Sequence, residues 1–255
     1  MTTTRPNGSL YTRIKNKIAT IEFGHPASNS FPGELLQRLT DELTLLSNNN
    51  DVNIIVLKSE GEKTFCAGAS FDELLAVTNL EEGAAFFSGF ANVINAMRNC
   101  SKLIVGRIQG KAVGGGVGLA AACDYALATV DSAVKLSEFT IGIGPFVIAP
   151  AVERKMGKAA LAELTLGAHE WKNAYWAQEK GLYAKVFESI PDMDKELDVF
   201  SGKLASYNPE ALASMKKVLW QGTEHWDTLL NDNAKISGRL VLSDFTKNAL
   251  SKLKQ

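Results

Sequence analysis

Residues 102–138, KLIVGRIQGKAVGGGVGLAAACDYALATVDSAVKLSE, carry the strongest structural signal in this chain of 255 residues. The apolar runs LIVGRIQG and YALAT predict two buried strands. Between them, the three glycines at 114–116 open a helix of small residues that extends to about Cys123. Because the first amides of a helix have no intrahelical partner, this helix predicts a site that binds an anion or an oxyanion.

Glu138 follows this helix, between an apolar segment that ends at Ser137 and the apolar loop FTIGIGP. Burial raises the pKa of a carboxyl group towards neutrality, which would make Glu138 a usable general base and acid. A glutamate that bonds backbone amides at the mouth of a loop is the structural alternative. Close packing of helix on strand is the corresponding alternative for the glycines. The local residues leave both alternatives open.

The composition excludes several classes of protein. The chain has 45% hydrophobic and 22% charged residues and a formal net charge of −1, so its charge does not favour nucleic acid or an anionic membrane. No apolar run is long enough to span a bilayer, and the N-terminus lacks the apolar core of a signal peptide, so we expect a cytoplasmic protein. Cys66, Cys100 and Cys123 form no CxxC pair and are expected to be free, buried thiols. The three histidines are scattered, so no protein-bound metal is expected.

The sequence matches the motifs of nucleotide-binding sites and catalytic nucleophiles poorly. GGGVGLAA replaces the GxGxxG of dinucleotide sites and lies in the middle of the chain, which leaves a dinucleotide oxidoreductase as a remote alternative. GRIQGK is one residue short of a P-loop and lacks the following Ser or Thr. Ser70 has no G-x-S-x-G elbow, and Cys66 has no neighbouring cation in sequence to lower its pKa. We therefore expect neither to be a nucleophile.

The remaining patterns predict an α/β core followed by helices. Strands are predicted in a hairpin over residues 10–23, over 53–58 and in the run GLYAKVFES. Helices are predicted over residues 34–47, from about 71, and over 81–99, 152–166 and 172–180, with a loop after Glu138. From about residue 192 the chain is expected to be helical throughout, with one helix to 206, one over 209–221 and one from about 224 to the end.

Motifs spread along the chain resemble the enoyl-CoA hydratase/isomerase (crotonase) superfamily. They are Phe-Cys-Ala-Gly-Ala at residues 65–69, Gln-Gly-Lys-Ala-Val-Gly-Gly-Gly at 109–116, Ala-Cys-Asp at 122–124 and Ser-Glu at 137–138. The resemblance covers nearly the whole chain. It implies a crotonase-like α/β spiral of repeated ββα units over residues 1–192, which carries an acyl-CoA site. It also implies a C-terminal helical region over residues 193–255 that mediates trimer formation, and trimers commonly pair into hexamers.

The resemblance also implies an acyl-CoA thioester as the substrate, with no separate cofactor and no metal. The backbone N–H groups of Ala69 and Gly115 would hold the thioester oxygen, Glu138 would move protons, and residues 67–72 would border the CoA. The implied catalytic residues are thus Glu138, Ala69 and Gly115. The implied binding residues are Ala67, Gly68, Ala69, Ser70, Phe71, Asp72, Gly114, Gly115 and Gly118.

This chain departs from the family's pattern at a catalytic position. The family's hydratases use two glutamates, of which the second matches Glu138, while the position of the first is Gly118. A single shuttle base suffices for double-bond migration, so we expect Δ3/Δ2-enoyl-CoA isomerisation. Hydration is the alternative, if another polar side chain, for example from residues 71–99, replaces the missing glutamate. A non-catalytic acyl-CoA-binding protein is the alternative from another class.

Two further departures concern the walls of the site. Ser70 stands where the family commonly has an aspartate, and its hydroxyl can still cap the following helix. Phe-Val-Ile-Ala-Pro at residues 146–150 replaces a glycine-rich run. The wall beside Glu138 is therefore expected to be bulkier and more apolar, which favours a short or branched acyl group or displaces the carboxylate.

Overall fold

In the computed structural model, which describes residues 7–253, the chain opens with a β-hairpin. Strand β1 (Ser9–Lys15) pairs antiparallel with strand β2 (Ile18–Gly24). Asn16 and Lys17 make the turn with positive φ angles, the backbone conformation that suits a two-residue connection between twisted strands. The predicted hairpin is confirmed.

The chain continues from this hairpin in repeated units, each of which consists of two strands followed by a helix. The first unit ends with helix α1 (Gly33–Ser47), whose leucines at helical spacing are buried. The later elements are β3 (Ile54–Ser59), β4 (Thr64–Cys66), α2 (Phe71–Ala76), α3 (Leu80–Asn99), β5 (Leu103–Ile108), β6 (Lys111–Val113), α4 (Gly115–Ala122), β7 (Tyr125–Thr129), β8 (Val134–Lys135), a 3-10 helix (Glu138–Ile141), α5 (Ala149–Leu166), α6 (Ala174–Glu179) and β9 (Lys185–Phe187). The segment after Ser137, predicted as a loop, thus begins with a turn of 3-10 helix.

The strands form one large and one small sheet. The large sheet has the order β1-β2-β3-β5-β7-β9 and is parallel apart from the hairpin, and the small sheet has the parallel order β4-β6-β8. From the second unit onwards, each unit adds one strand to each sheet before its helix. The chain therefore winds as an α/β spiral of ββα units, as predicted.

Strands β4 and β6 were not predicted. No strand was predicted over residues 64–66 or 111–113, because a run of three residues is too short to show alternation. The two strands pair in parallel, with Thr64 opposite Lys111 and Cys66 opposite Ala112. This pairing lays the start of α2 beside the start of α4, so the small sheet positions the two segments that sequence analysis had singled out.

The C-terminal region is helical, as predicted, but its last part was predicted wrongly. It contains α7 (Ile190–Ala205), α8 (Pro209–Leu219), α9 (Trp226–Leu240) and α10 (Asp244–Leu253). The last two were expected to be one helix. The chain bends between them because Ser243 Oγ accepts the backbone N–H of Thr246 and caps the new helix (3.3 Å). The bend also lets apolar residues near it pack in one cluster, which includes Leu74, Ile143, Val241 and Leu250.

A buried ion pair joins helix α8 to the core. Lys216 Nζ lies 2.7 Å from Asp124 Oδ2, and their side chains are 2% and 4% exposed. The same carboxylate accepts the backbone N–H of Ile104 and the indole N–H of Trp220, each at 2.7 Å. Buried charges need this degree of pairing to offset their desolvation. Asp124 is thus the residue of the Ala-Cys-Asp motif that anchors helix α8.

Candidate active site

The backbone N–H of Ala69 points away from the neighbouring segment at Phe31. Ala69 forms a parallel bridge with Phe31, in which the Phe31 N–H donates to Gly68 O (2.8 Å) and the Ser70 N–H donates to Phe31 O (2.9 Å). In such a bridge the amide of the middle residue points to the other side. Within residues 7–253, no hydrogen bond engages the Ala69 N–H.

A second backbone amide with no partner in the described part of the chain, that of Gly115, lies next to it. Gly115 is the first residue of α4, so its N–H has no intrahelical acceptor. The preceding Gly114 has φ 52° and ψ −118°, a conformation that side-chain-bearing residues rarely adopt. An ideal Cβ on Gly68 would lie only 3.4 Å from the Gly115 nitrogen. The two glycine-containing segments are therefore in contact, and the two amides are brought together.

Glu138 lies against the same glycines. An ideal Cβ on Gly114 would be 2.8 Å from Glu138 Oε1, so only glycine leaves room for the carboxylate there. The other oxygen, Oε2, is shielded from solvent and has no hydrogen-bond partner among the described residues. Burial raises the pKa of Glu138 to about 7, although a hydrogen bond from its own backbone N–H lowers it. Near neutral pH both protonation states are therefore populated, as a proton shuttle requires.

These groups meet at a cavity of about 220 Å³. Its walls are largely apolar and include four phenylalanines and the segment around Pro145. The aromatic residues are Phe71, Phe86, Phe87 and Phe90. Among the described residues that line the cavity, polar side chains come from Ser137, Glu138 and Ser237 alone. The apolar walls lower the local dielectric constant, which strengthens any hydrogen bond from the two amides to a developing negative charge.

The predicted site residues fall into two groups. Those that line the cavity are Ala67, Gly68, Ala69, Phe71, Gly114, Gly115 and Glu138. Ser70, Asp72 and Gly118 do not lie on its described wall. The Ser70 hydroxyl accepts the backbone N–H of Glu73 and caps α2 (3.4 Å), and Asp72 is exposed in the first turn of that helix.

Gly118 is covered by Ile148. An ideal Cβ on Gly118 would lie 2.5 Å from Ile148 Cγ2, and Gly118 itself is buried. Ile148 lines the cavity, so an apolar side chain fills the space into which a residue at position 118 would project. The two departures noted in the sequence, the glycine at 118 and the bulky segment 146–150, are thus packed against each other.

The suggestion that residues 71–99 supply a replacement polar group is wrong. The side chains from this region that line the cavity are all apolar, because α3 turns its aromatic face inwards. Two polar residues of the wall were not among the predicted site residues: Ser137, which precedes Glu138, and Ser237, on α9. No local pattern marks Ser237, because its position depends on how α9 packs across α3. The helix over residues 81–99 was predicted, but not that its phenylalanines form a wall of the site.

The cysteines, the potential metal ligands and the lengths of the helices were also compared with the sequence-based expectations. The three cysteines are buried and free, as predicted, and burial raises the pKa of Cys66 to about 12. Within residues 7–253 there is no cluster of three His, Cys, Asp or Glu side chains suited to a metal ion. In the same part of the chain, no helix has the length and apolarity to cross a membrane.

The sequence and fold are similar to those of known proteins. The family model described as enoyl-CoA hydratase/isomerase matches residues 13–247. A probable enoyl-CoA hydratase of Bacillus subtilis is 25% identical over 91% of this chain and 90% of its own length. A peroxisomal Delta(3,5)-Delta(2,4)-dienoyl-CoA isomerase of Arabidopsis thaliana is 27% identical over 82% of this chain and 79% of its own length.

A solved structure has the same fold. The crystal structure of an enoyl-CoA hydratase from Bacillus halodurans superposes with a TM-score of 0.88 over 95% of this chain and 99% of that one, at 20% identity. At that identity the likeness shows the fold. Together with the family match over most of the chain, it leads to one conclusion: this protein is an enzyme of the enoyl-CoA hydratase/isomerase family.

Proposed function

We propose that this protein isomerises the double bond of an enoyl-CoA, with Glu138 as its single proton shuttle. One observation carries the proposal: Glu138 is the one ionisable side chain among the described residues that line the cavity. Its Oε2 atom is buried and has no partner there. A buried carboxylate oxygen without a partner is costly to maintain, so a role in moving protons explains its presence better than a structural role does.

The proposed reaction uses three groups of the chain. The N–H groups of Ala69 and Gly115 donate hydrogen bonds to the thioester oxygen of a 3-enoyl-CoA. The Glu138 carboxylate removes a proton from C2, and the electron pair delocalises onto the thioester oxygen as an enolate. The protonated Glu138 then returns the proton to C4, and the double bond moves to C2–C3. One donor of such an oxyanion hole can contribute about 3–4 kcal/mol.

Hydration is the second candidate. Two of the relatives are named as hydratases, a probable enoyl-CoA hydratase and a short-chain-enoyl-CoA hydratase. Water addition by one carboxylate would need a second polar group to position the water, and the other polar side chains on the described wall are the hydroxyls of Ser137 and Ser237. Ile148 covers the position of the missing glutamate, so we favour isomerisation. The small cavity and its aromatic walls support a short acyl group.

Parallel incubation with 3-hexenoyl-CoA and crotonyl-CoA in deuterated water tests this proposal. We expect 3-hexenoyl-CoA to become 2-hexenoyl-CoA, with deuterium entering at C2 or C4, and we expect little addition of water to crotonyl-CoA. Faster hydration of crotonyl-CoA than double-bond migration would establish the second candidate instead. Tight acyl-CoA binding in calorimetry with no deuterium exchange would indicate a non-catalytic binding protein.

We also propose that the helical region 193–255 assembles the chain into a homotrimer or a hexamer, next to a core at 1–192 that carries the site. The support is a set of exposed apolar side chains on the C-terminal helices. Met215, Val218 and Leu219 of α8 are 51%, 61% and 44% exposed, and Phe245 of α10 is 67% exposed. Covering such residues would stabilise an oligomer. Light scattering that gave a monomer at micromolar concentration would contradict this assembly.

A further inference from the structure

Ser237 is a buried polar residue whose hydroxyl has no described partner. The residue is 1% exposed, and its Oγ atom has no hydrogen-bond partner among the described residues. Serine in a helix commonly donates to the carbonyl one turn earlier, but Ser237 does not. Ser237 nevertheless lines the cavity that holds Glu138 and the two unpaired amides.

The packing around α9 fixes Ser237 in this position. Four residues earlier on the same helix face, Asn233 Nδ2 donates to the carbonyl oxygen of Phe146 (2.8 Å), which ties α9 to the wall segment before Ile148. On the next residue, an ideal Cβ of Gly238 would lie 2.5 Å from the Ala84 nitrogen, so α9 and α3 are in backbone contact there. The serine therefore lies between the apolar wall around Ile148 and the aromatic face of α3.

The need for a small residue does not explain a serine. The close backbone contact of α3 and α9 lies at the neighbouring Gly238, and an alanine at position 237 would be no larger than the serine. A hydroxyl that is buried without a partner destabilises the folded chain. The hydroxyl is explained if its partner arrives with a ligand, since the other side chains of this wall offer that ligand only apolar contact apart from Ser137 and Glu138.

We propose that the Ser237 hydroxyl binds an oxygen atom carried by the acyl chain of the substrate, so that the enzyme prefers an acyl group with a hydroxyl or carbonyl beyond the thioester. This inference rests on the proposed acyl-CoA function of the same cavity. The thioester oxygen is bound by Ala69 and Gly115, and Ser237 binds a second oxygen at the apolar end. Ser237 is thus a determinant of specificity and takes no part in proton transfer.

The test compares the binding of four thioesters, which are hexanoyl-CoA and its 3-hydroxy, 4-oxo and 5-oxo derivatives. Dissociation constants are measured by calorimetry for the wild type, for Ser237→Ala and for the matched control Ser137→Ala, which removes the other hydroxyl of the cavity wall. We expect at least one oxygenated thioester to bind the wild type about fivefold more tightly than hexanoyl-CoA, as one hydrogen bond allows. We expect Ser237→Ala to lose that preference and Ser137→Ala to keep it.

Stability provides an independent readout. Because the Ser237 hydroxyl has no partner among residues 7–253, Ser237→Ala should melt no lower than the wild type. A clear fall in melting temperature would show that the hydroxyl is bonded internally and would overturn the proposal. So would equal binding of all four thioesters by the wild type, or a preference that survives in Ser237→Ala. If none of the four thioesters binds, the proposed acyl-CoA function fails and this inference fails with it.

Discussion

Replacement of Glu138 by glutamine is expected to lower kcat/KM for double-bond migration by about 10²- to 10⁴-fold, the usual contribution of a positioned acid or base. Glutamine keeps the shape of the side chain and its contact with Gly114, but it cannot accept a proton from carbon. The two amides of the oxyanion hole remain, so acyl-CoA binding should change little. Kinetics with 3-hexenoyl-CoA and calorimetry with hexanoyl-CoA separate the two effects. An unchanged rate would remove Glu138 from the mechanism.

The pH dependence of the wild type should identify the same group. Because burial raises the pKa of Glu138 to about 7, the reactive carboxylate becomes scarce below neutrality. We expect kcat/KM to rise about tenfold per pH unit up to about pH 7 and to level off above it. The residual activity of Glu138→Gln should lack this rise. A wild-type profile that stayed flat from pH 5 to about pH 9 would contradict the assignment.

The raised pKa of Glu138 also provides a folding control for Glu138→Gln. The folded state holds the proton of Glu138 more tightly than the unfolded state, whose carboxyl has a pKa near 4.5. The stability from this group is therefore fully present below about pH 4.5 and is lost as the pH rises through about 7. Glu138→Gln should thus be at least as stable as the wild type at pH 8, and the two should converge at low pH. A loss of activity in this variant cannot then be attributed to unfolding.

Replacement of Lys216 by methionine is expected to lower the free energy of unfolding by about 3–5 kcal/mol, the usual cost of leaving one partner of a buried ion pair uncompensated. Methionine retains an apolar stem of similar length, while Asp124 keeps a carboxylate that is 4% exposed. Its hydrogen bonds from Ile104 and Trp220 remain but supply no countercharge. Urea unfolding followed by circular dichroism measures the loss.

A matched control separates burial from ion pairing as such. Lys235 pairs with Asp232 at 2.8 Å, a distance like that of the buried pair, but the two side chains are 68% and 56% exposed. Lys235→Met should therefore cost less than about 1 kcal/mol. Combining Asp124→Asn with Lys216→Met removes both charges and should restore part of the stability. If Lys216→Met were no less stable than Lys235→Met, the role of Asp124 as an anchor would be refuted.

Much of the core follows from short stretches of sequence. The runs over residues 103–108 and 125–129 are buried strands because continuous apolar segments suit a sheet covered on both faces. The hairpin, α1 and α3 also follow from local periodicity. The prediction failed where the signal was too short, as for β4 and β6. It also failed where a distant contact intervened, as at the bend between α9 and α10, which is packed near Leu74 and Ile143.

The residues by themselves determined an α/β core followed by helices, the glycines that open α4 and the glycine at position 118, while the family and its ββα spiral came from the resemblance of the motifs. These are local properties of backbone conformation, apolar spacing and residue identity. Only the tertiary structure decided that Ile148 fills the space over Gly118 and that Ser237 joins the wall of the cavity. Both depend on segments that are far apart in the chain, and side-chain packing between such segments leaves no periodic trace in either one.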